Sequence, residues 1–160
     1  MYEKSLLIVK PDGLKRRLTS QVLARFETAG LKLHALKLVQ ATPELAGDHY
    51  AEHRERPFFP LIVDYLTEGP VLVFVLGGQG AIARIRMMVG STMPAEAAPG
   101  TIRGDFCHMS LDKADGKDKA LYNLIHASAN AEDAAREIGI WFNPAEVLDY
   151  SLPDDYLHGA

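Results

Sequence analysis

Residues 71–76 form a run of six apolar residues, bounded by Gly69-Pro70 before it and Gly77-Gly78 after it. A short apolar run between such turn residues is typical of a β-strand that is buried on both faces. A strand of this kind lies in the middle of a sheet, so the run predicts a central strand. We interpret Gly77-Gly78-Gln79-Gly80 as the turn from this strand into the next helix.

Three further segments are predicted to be strands. Residues 5–9 are short and apolar, and the turn Lys10-Pro11-Asp12-Gly13 follows them. Residues 31–40 alternate between apolar and polar side chains and then change phase, as a strand with a β-bulge does. Residues 147–150 are predicted to form a short final strand.

Apolar residues at helical spacing predict five helices. The first lies around residues 20–29, and two short helices lie within residues 43–65, separated by Pro57 and Pro60. The fourth lies at residues 81–89. The fifth follows Asn130, and its inner stripe is Ala131, Ala134, Ala135 and Ile138. Residues 91–122 are rich in proline and glycine and are predicted to be irregular. This order of elements favours a mixed sheet covered by helices on one side, for which a ferredoxin-like α/β sandwich is the natural candidate.

The composition is that of one globular domain spanning residues 1–160, since 48% of its residues are hydrophobic. A net charge of −4 gives no indication of a surface for nucleic acid or anionic lipid. The single cysteine, Cys107, excludes an intrachain disulfide and fits a reducing compartment. The N-terminus has no signal-peptide pattern and no apolar run reaches the roughly 20 residues that cross a bilayer, so we expect a cytoplasmic protein.

The strongest chemical signal is Asn123-Leu124-Ile125-His126-Ala127-Ser128, with Glu137 in the next predicted helix. An imidazole is largely unprotonated near neutral pH, and it can attack an electrophile if a second group fixes its tautomer. Glu137 is the candidate for that group. Taken alone, the motif is more typical of a polar pair at the junction between a loop and a helix.

Three cations could bind phosphate: Lys10 follows the first strand, and Arg86 and Arg103 flank part of the irregular segment that also contains Thr92. Each of them alone is more typical of a solvated or salt-bridged surface residue. The glycine-rich phosphate loop that ends in Gly-Lys-Ser or Gly-Lys-Thr is absent. His49 and His53 are four residues apart, but Tyr50 stands where a zinc-protease motif has Glu, and we predict no protein-bound metal.

Six motifs follow one another along the chain, namely Lys10-Pro11-Asp12-Gly13, His49-Tyr50, Arg56-Pro57-Phe58-Phe59, Pro99-Gly100-Thr101-Ile102-Arg103-Gly104-Asp105-Phe106, Asn123-Leu124-Ile125-His126-Ala127-Ser128 and Glu137-Ile138-Gly139-Ile140-Trp141-Phe142. With these motifs in this order, the chain resembles the nucleoside diphosphate kinases over nearly its whole length. The resemblance implies an α/β sandwich with a ferredoxin-like, four-stranded antiparallel sheet covered by helices. It also implies ping-pong transfer of a γ-phosphate between nucleotides through a phosphohistidine at His126.

The resemblance further implies a role for each candidate residue. Glu137 would orient His126, with Ser128 in the same hydrogen-bonded group, and Tyr50 and His53 would lie near the phosphate site. Phosphates would be held by Lys10, Arg86, Thr92 and Arg103, the base by Phe58 and Ile62, and the sugar by Lys10 and Asn123. Mg²⁺ would arrive with the nucleotide, and the chain would form a homodimer-based tetramer or hexamer.

Two departures from the family pattern are visible. The common motif is His-Gly-Ser-Asp, whereas this chain has His126-Ala127-Ser128-Ala129, which removes a carboxylate beside the candidate nucleophile. Residues 108–122 are longer than the usual connection, and we interpret them as a solvated loop or hairpin, or else as an element that changes the nucleotide pocket or subunit packing. Two alternatives to an active kinase therefore stand: a nucleotide-binding module that lost efficient transfer, and a phosphodonor to a histidine of another protein.

Overall fold

The computed structural model describes residues 1–108 and 120–152. Its sheet has four strands, β1 (Tyr2–Val9), β2 (Lys32–Gln40), β3 (Pro70–Gln79) and β4 (Ile125–Ala127), in the order β2-β3-β1-β4. All three neighbouring pairs are antiparallel. The four-stranded antiparallel sheet is thus confirmed, whereas the predicted mixed sheet is wrong. Residues 71–76 lie within β3, a central strand as predicted.

The α-helices of the described residues are α1 (Pro11–Lys15), α2 (Thr19–Thr28), α3 (Pro43–His49), α4 (Phe59–Thr67), α5 (Ala81–Val89), α6 (Ile102–Phe106) and α7 (Ala131–Trp141). None of these helices is long and apolar enough to cross a membrane. Five of them match predicted helices, but α1 lies where the turn Lys10-Pro11-Asp12-Gly13 was predicted, and α6 falls in the segment predicted to be irregular. A helix of five residues shows too little periodicity to be recognised in sequence. Its N-cap, Thr101, accepts a hydrogen bond from the N–H of Gly104 at 3.0 Å.

Helices cover both faces of the sheet, so the prediction of one covered side is wrong. Side chains alternate along a strand, and in β1 Leu7 and Val9 pack with α2, α5 and α6, while Leu6 and Ile8 pack with α3, α4 and α7. Both sets are fully buried. The apolar strands therefore need a helical layer on each side to remove them from water.

The glycine pair predicted to be a turn is part of strand β3. Gly77 pairs with Lys4 on one side and with Lys32 on the other. A Cβ atom at Gly77 would lie 2.5 Å from Nε2 of His34, so the close approach of this ring requires glycine. The turn into α5 is instead at Gly80, whose φ of 58° favours glycine.

Two other predictions change at the C-terminal end. Residues 147–150 are not a strand, because one backbone bond, from the N–H of Leu148 to the carbonyl of His34, does not make a ladder. In α7 the inner face contains Ala134, Glu137 and Trp141, whereas Ala131 and Ala135 are exposed. Most of the predicted loop at 108–122 and the C-terminal tail from residue 153 lie outside the described residues.

Candidate active site

His126 is placed by strand β4, which pairs with β1 at the edge of the sheet. Ile8 of β1 lies directly opposite His126, so the imidazole points to the face covered by α3, α4 and α7. The strand is only three residues long, and the sequence pattern did not predict it. A neighbouring residue, Leu124, has a φ of 68°, and its carbonyl accepts a hydrogen bond from the N–H of Lys10 at 2.8 Å. This bond joins the start of β4 to the end of β1.

Glu137 and Ser128 form one hydrogen-bonded group with His126. Oε2 of Glu137 lies 3.0 Å from Nε2 of His126 and accepts the Ser128 hydroxyl at 2.6 Å. The Ser128 hydroxyl oxygen in turn accepts the N–H of Leu6 in β1 at 3.1 Å. Ser128 and Glu137 are buried, with exposed fractions of 0% and 2%. The sheet and α7 therefore hold the carboxylate against the imidazole from two sides.

The electrostatic setting keeps His126 neutral. Burial, together with the positive charges of Lys10 and Arg103, lowers the pKa of His126 to about 3. A neutral imidazole carries one proton, and the carboxylate of Glu137 accepts it from Nε2. Nδ1 then keeps its lone pair, and among the described residues no hydrogen bond occupies it. His126 is consequently suited to nucleophilic attack through Nδ1.

A cleft of about 450 Å³ opens over His126. Eleven of the twelve predicted site residues line it, namely Lys10, Tyr50, His53, Phe58, Ile62, Arg86, Thr92, Arg103, Asn123, His126 and Glu137. Ser128 is the exception and lies behind Glu137. The fold thus brings together residues from the N-cap of α1, the α3–α4 segment, α5 and the segment after it, α6, the segment before β4, β4 and α7.

Cations gather at one end of this cleft. Lys10 is 8% exposed, and its ammonium donates to Oδ1 of Asn123 at 2.8 Å. Burial and the charge of Arg103 lower the pKa of Lys10 to about 7. Arg86 is exposed, and its guanidinium contacts the carbonyl of Ala127 at 3.3 Å. This end suits a polyanion such as a phosphate chain.

Arg103 is mostly used as a structural link. Its guanidinium donates to the carbonyls of Gly90, Ser91, Asn123 and Ile125 at distances between 2.5 and 3.2 Å. A guanidinium has five N–H groups, so about one is left to face the cleft. Arg103 therefore ties β4 to the segment after α5 and, at the same time, presents a positive charge to the phosphate end.

The other end of the cleft is aromatic and apolar. The ring of Phe58 is 45% exposed and lies 5.4 Å from the ring of His53. Ile62 lies one turn further along α4. An exposed aromatic face beside an aliphatic side chain can stack on a planar group without reading its polar edge.

Several residues of the site were not predicted from the sequence. Glu52, Tyr65, Leu121, Ala129 and Asp133 also line the cleft. Tyr65 could have been found, since it follows Ile62 by three residues and thus shares its helix face. His49 packs perpendicular to His126 at a ring distance of 4.5 Å, and its Nδ1 accepts the Trp141 indole N–H at 3.2 Å.

The acidic groups at the cleft are already engaged. Glu52 pairs with Arg136 at 2.7 Å, Asp133 accepts Asn130 at 2.8 Å, and Glu137 is bound as described. His49, His126 and Glu137 have ligand-type atoms within 4.8 Å of one another, but four cations surround His126. The positive charge of these four side chains disfavours binding of a bare metal cation beside His126. The residues fit Mg²⁺ only as a complex with phosphate oxygens, and the predicted lack of a protein-bound metal stays a prediction.

Comparison with known proteins finds one family that matches most of the chain. The family model described as nucleoside diphosphate kinase matches residues 3–147. A nucleoside diphosphate kinase of Thermus thermophilus is 49% identical over 91% of this chain and 99% of its own length. One of Bacillus thuringiensis is 50% identical over 93% of this chain and 94% of its own.

Solved structures agree with these matches. A Borrelia burgdorferi nucleoside-diphosphate kinase, solved as a transition-state mimic with vanadate and ADP, has a TM-score of 0.93 at 40% identity and covers 99% of this chain and 97% of that one. A halophilic nucleoside diphosphate kinase from Halobacterium salinarum in complex with CDP has a TM-score of 0.86 at 37% identity, with 98% of each chain covered.

Proposed function

The chain belongs to the nucleoside diphosphate kinase family, and we propose that His126 carries the phosphoryl group as the enzyme moves it from a nucleoside triphosphate to a nucleoside diphosphate. The observation that carries this proposal is the bond between Nε2 of His126 and Glu137, which leaves Nδ1 as a neutral nucleophile at the floor of the cleft.

The reaction has two matched halves. Nδ1 of His126 attacks the γ-phosphorus, an N–P bond forms, and the bond from this phosphorus to the β,γ-bridging oxygen breaks, so that the nucleoside diphosphate leaves with the electron pair. A terminal β-phosphate oxygen of a second nucleoside diphosphate then attacks the phosphorus of the phosphohistidine, an O–P bond forms, and the N–P bond breaks, so that the electron pair returns to Nδ1. The imidazole gains positive charge in the first transfer and loses it in the second, and the carboxylate of Glu137 compensates this charge through the Nε2 proton.

Phosphate binding falls to the cationic end of the cleft. We assign Lys10, Arg86, Arg103 and Thr92 to the phosphate chain, where their donors offset the charge of the transferring group. The hydroxyl of Tyr50 and the ring of His53 bound the same space. Bound Mg²⁺, carried by the phosphate oxygens, would neutralise part of the nucleotide's charge.

Nucleoside binding falls to the other end. Phe58 would stack on the base, with Ile62 closing the slot, and Asn123 and Lys10 would reach the sugar. Stacking does not distinguish one base edge from another, so we expect several bases to be accepted.

The test is transfer of label through the protein. Purified protein is incubated with γ-labelled ATP and Mg²⁺, freed of nucleotide, and given unlabelled GDP, in parallel with His126→Ala. We expect the wild type alone to hold acid-labile label and to release it as GTP. If nucleotide binds but no label is retained, the chain is a nucleotide-binding module. Retention of label by His126→Ala would instead show that a residue other than His126 is phosphorylated.

A third outcome concerns the acceptor. If label is held on His126 but passes poorly to nucleoside diphosphates, the alternative of a phosphodonor to another protein's histidine gains support. The two acceptors have to be distinguished because Ala129 stands in place of the family's carboxylate. We expect transfer to GDP to dominate, because Glu137 and Ser128 are both in place.

Three further proposals accompany the function. We propose that the chain forms a homo-oligomer, because the edge strand β2 carries two exposed leucines, Leu36 at 47% and Leu38 at 64% exposure. Native mass spectrometry would give the number of subunits. We also propose that residues 1–160 form a single domain, which the family match over residues 3–147 supports. A cytoplasmic location stays a prediction from the sequence.

A further inference from the structure

Tyr65 lies against the ammonium of Lys10, although no step of the proposed reaction uses it. The Lys10 Nζ atom is 4.8 Å from the centre of the Tyr65 ring and above its face. Tyr65 is 4% exposed and lines the cleft. The negative face of an aromatic ring attracts a cation, and the attraction grows when both groups are shielded from water.

The ammonium has little other compensation. Its hydrogen bond goes to the neutral amide of Asn123, and among the described residues no carboxylate lies within 4.0 Å of Nζ. The titratable groups that interact with it are Asp12 of α1, His49 of α3, Arg103 of α6, Cys107 just after α6 and His126 of β4. Arg103 opposes the charged form of Lys10, whereas Asp12 and Cys107 favour it. Besides the amide oxygen of Asn123, the ammonium is thus faced by the negative face of the Tyr65 ring.

The ring itself is held in place from two directions. Its hydroxyl donates to Oδ1 of Asp12 at 2.6 Å. The ring of Tyr122 packs edge-on against it at 4.6 Å, and the Tyr122 hydroxyl donates to Glu68 at 3.0 Å. Burial and Asp12 raise the pKa of the Tyr65 phenol, so the hydroxyl stays protonated. The ring therefore acts through its face and not as a phenolate.

We propose that Tyr65 is a positioning residue that keeps the ammonium of Lys10 charged and directed into the phosphate end of the cleft, with Tyr122 fixing the orientation of the ring. This inference rests on the proposed contact between Lys10 and phosphate. It adds two residues that support Lys10, Tyr65 of α4 and Tyr122. Because Tyr122 directly precedes Asn123, the segment leading into β4 helps to position the phosphate-binding ammonium.

Removing the ring has a definite consequence. In Tyr65→Leu the side chain stays apolar and still excludes water, but the attraction to the cation is lost. The neutral amine is then favoured further, and we expect the pKa of Lys10 to fall by about half a unit to one unit. The alkaline limb of kcat/KM for the nucleoside diphosphate should move to lower pH by the same amount. At pH 8 we expect a loss of about three- to tenfold.

Two variants serve as comparisons. Tyr65→Phe keeps the ring and loses only the bond to Asp12, so it should restore most of the Lys10 pKa. Tyr150→Leu is the matched control, because the ammonium of Lys32 lies 4.9 Å from the centre of the Tyr150 ring, outside the cleft. It removes the same kind of contact, and we expect it to change neither the Lys10 pKa nor the alkaline limb.

The measurement is an NMR titration of the Lys10 side chain in the nucleotide-free protein, with its signal assigned by loss in Lys10→Arg. A lowered pKa in Tyr65→Leu, restored in Tyr65→Phe, supports the proposal. An unchanged or raised pKa in Tyr65→Leu overturns it, as does an equal fall in Tyr150→Leu. Since no nucleotide is present, this result is independent of phosphoryl transfer. If Lys10→Met keeps full activity, the proposed function is wrong in assigning Lys10 to the phosphate chain, and this outcome is distinct from the pKa result for Tyr65→Leu.

Discussion

Oε2 of Glu137 lies 3.0 Å from Nε2 of His126, although the two residues belong to separate elements, α7 and β4. Glu137 is 2% exposed, so water does not compete for this bond. Burial raises the pKa of Glu137, while Ser128 and Arg136 act in the opposite direction. The contact fixes the histidine tautomer and places a compensating charge on the side of the ring away from Nδ1.

Glu137→Gln should slow phosphorylation of His126 by about 100-fold, with little change in nucleotide affinity, because the compensating charge is lost and the shape is kept. Rapid-quench measurement of label on His126 in single-turnover reactions gives the rate. Glu132→Gln, at an exposed position of the same helix, is the control and should react at the wild-type rate. A normal rate for Glu137→Gln would show that the bond only orients the ring.

Nucleotide binding should be accompanied by uptake of a proton on Lys10. The pKa of Lys10 is lowered to about 7, so at pH 8 the free protein holds the amine mostly neutral. A phosphate chain favours the charged form, and binding of ADP at pH 8 should therefore take up about one proton per site, and much less at pH 6. Calorimetry in two buffers with different ionisation enthalpies measures this number. Lys10→Met should abolish the uptake, and equal heats in both buffers for the wild type would contradict the prediction.

Acid should destabilise the fold through its buried histidines. The pKa of His126 is lowered to about 3, and burial and the nearby His126 lower the pKa of His49 well below 6.5. Between these values and about 6.5 the unfolded chain binds more protons, so the free energy of unfolding falls as the pH falls through this window.

Urea unfolding at pH 7.5, 5.5 and 4.5 tests this dependence. His126→Gln should lose less stability than the wild type between the highest and lowest pH, because one of the three rings with a lowered pKa, those of His34, His49 and His126, is gone. His53→Gln, at a partly exposed ring, should follow the wild type. Identical slopes for His126→Gln and the wild type would show that His126 does not contribute.

Arg17 adopts a left-handed backbone conformation, with φ of 59°. This region is costly for a residue with a Cβ atom, so Arg17→Gly should raise the free energy of unfolding by about 0.5–1 kcal/mol after the greater flexibility of the unfolded chain is subtracted. Arg16→Gly, at φ of −87°, should lower stability. Denaturant unfolding of both variants measures the difference, and a less stable Arg17→Gly would refute the prediction.

Arg103→Lys should lower the free energy of unfolding by about 2–4 kcal/mol, because an ammonium cannot reach the four carbonyls that the buried guanidinium joins. Arg25→Lys, at the exposed pair with Asp105, should cost about 1 kcal/mol or less. Thermal and denaturant unfolding give both values. Equal costs for the two variants would show that Arg103 is not a structural link.

Much of the fold was predictable because its signals are local. The apolar run at residues 71–76 identified a central strand, and the Asn130 cap, whose side chain accepts the N–H of Asp133 at 2.9 Å, identified the start of α7. Strand β4 and helix α6 escaped prediction since three or five residues carry no periodicity. Their structure depends on partners distant in the chain, Ile8 for β4 and the link through Arg103 for α6.

The site divides in the same way. The sequence by itself determined which residue types are available for the chemistry, His126, Ser128 and Glu137 with the phosphate-binding cations, because their order forms recognisable motifs. Only the tertiary structure decided that Arg103 is largely consumed by backbone carbonyls, that Lys10 is desolvated over the Tyr65 ring, and that Nδ1 of His126 is the free nitrogen. Hydrogen bonds, burial and charge depend on distances through space, and those distances arise when strands and helices far apart in the chain pack together.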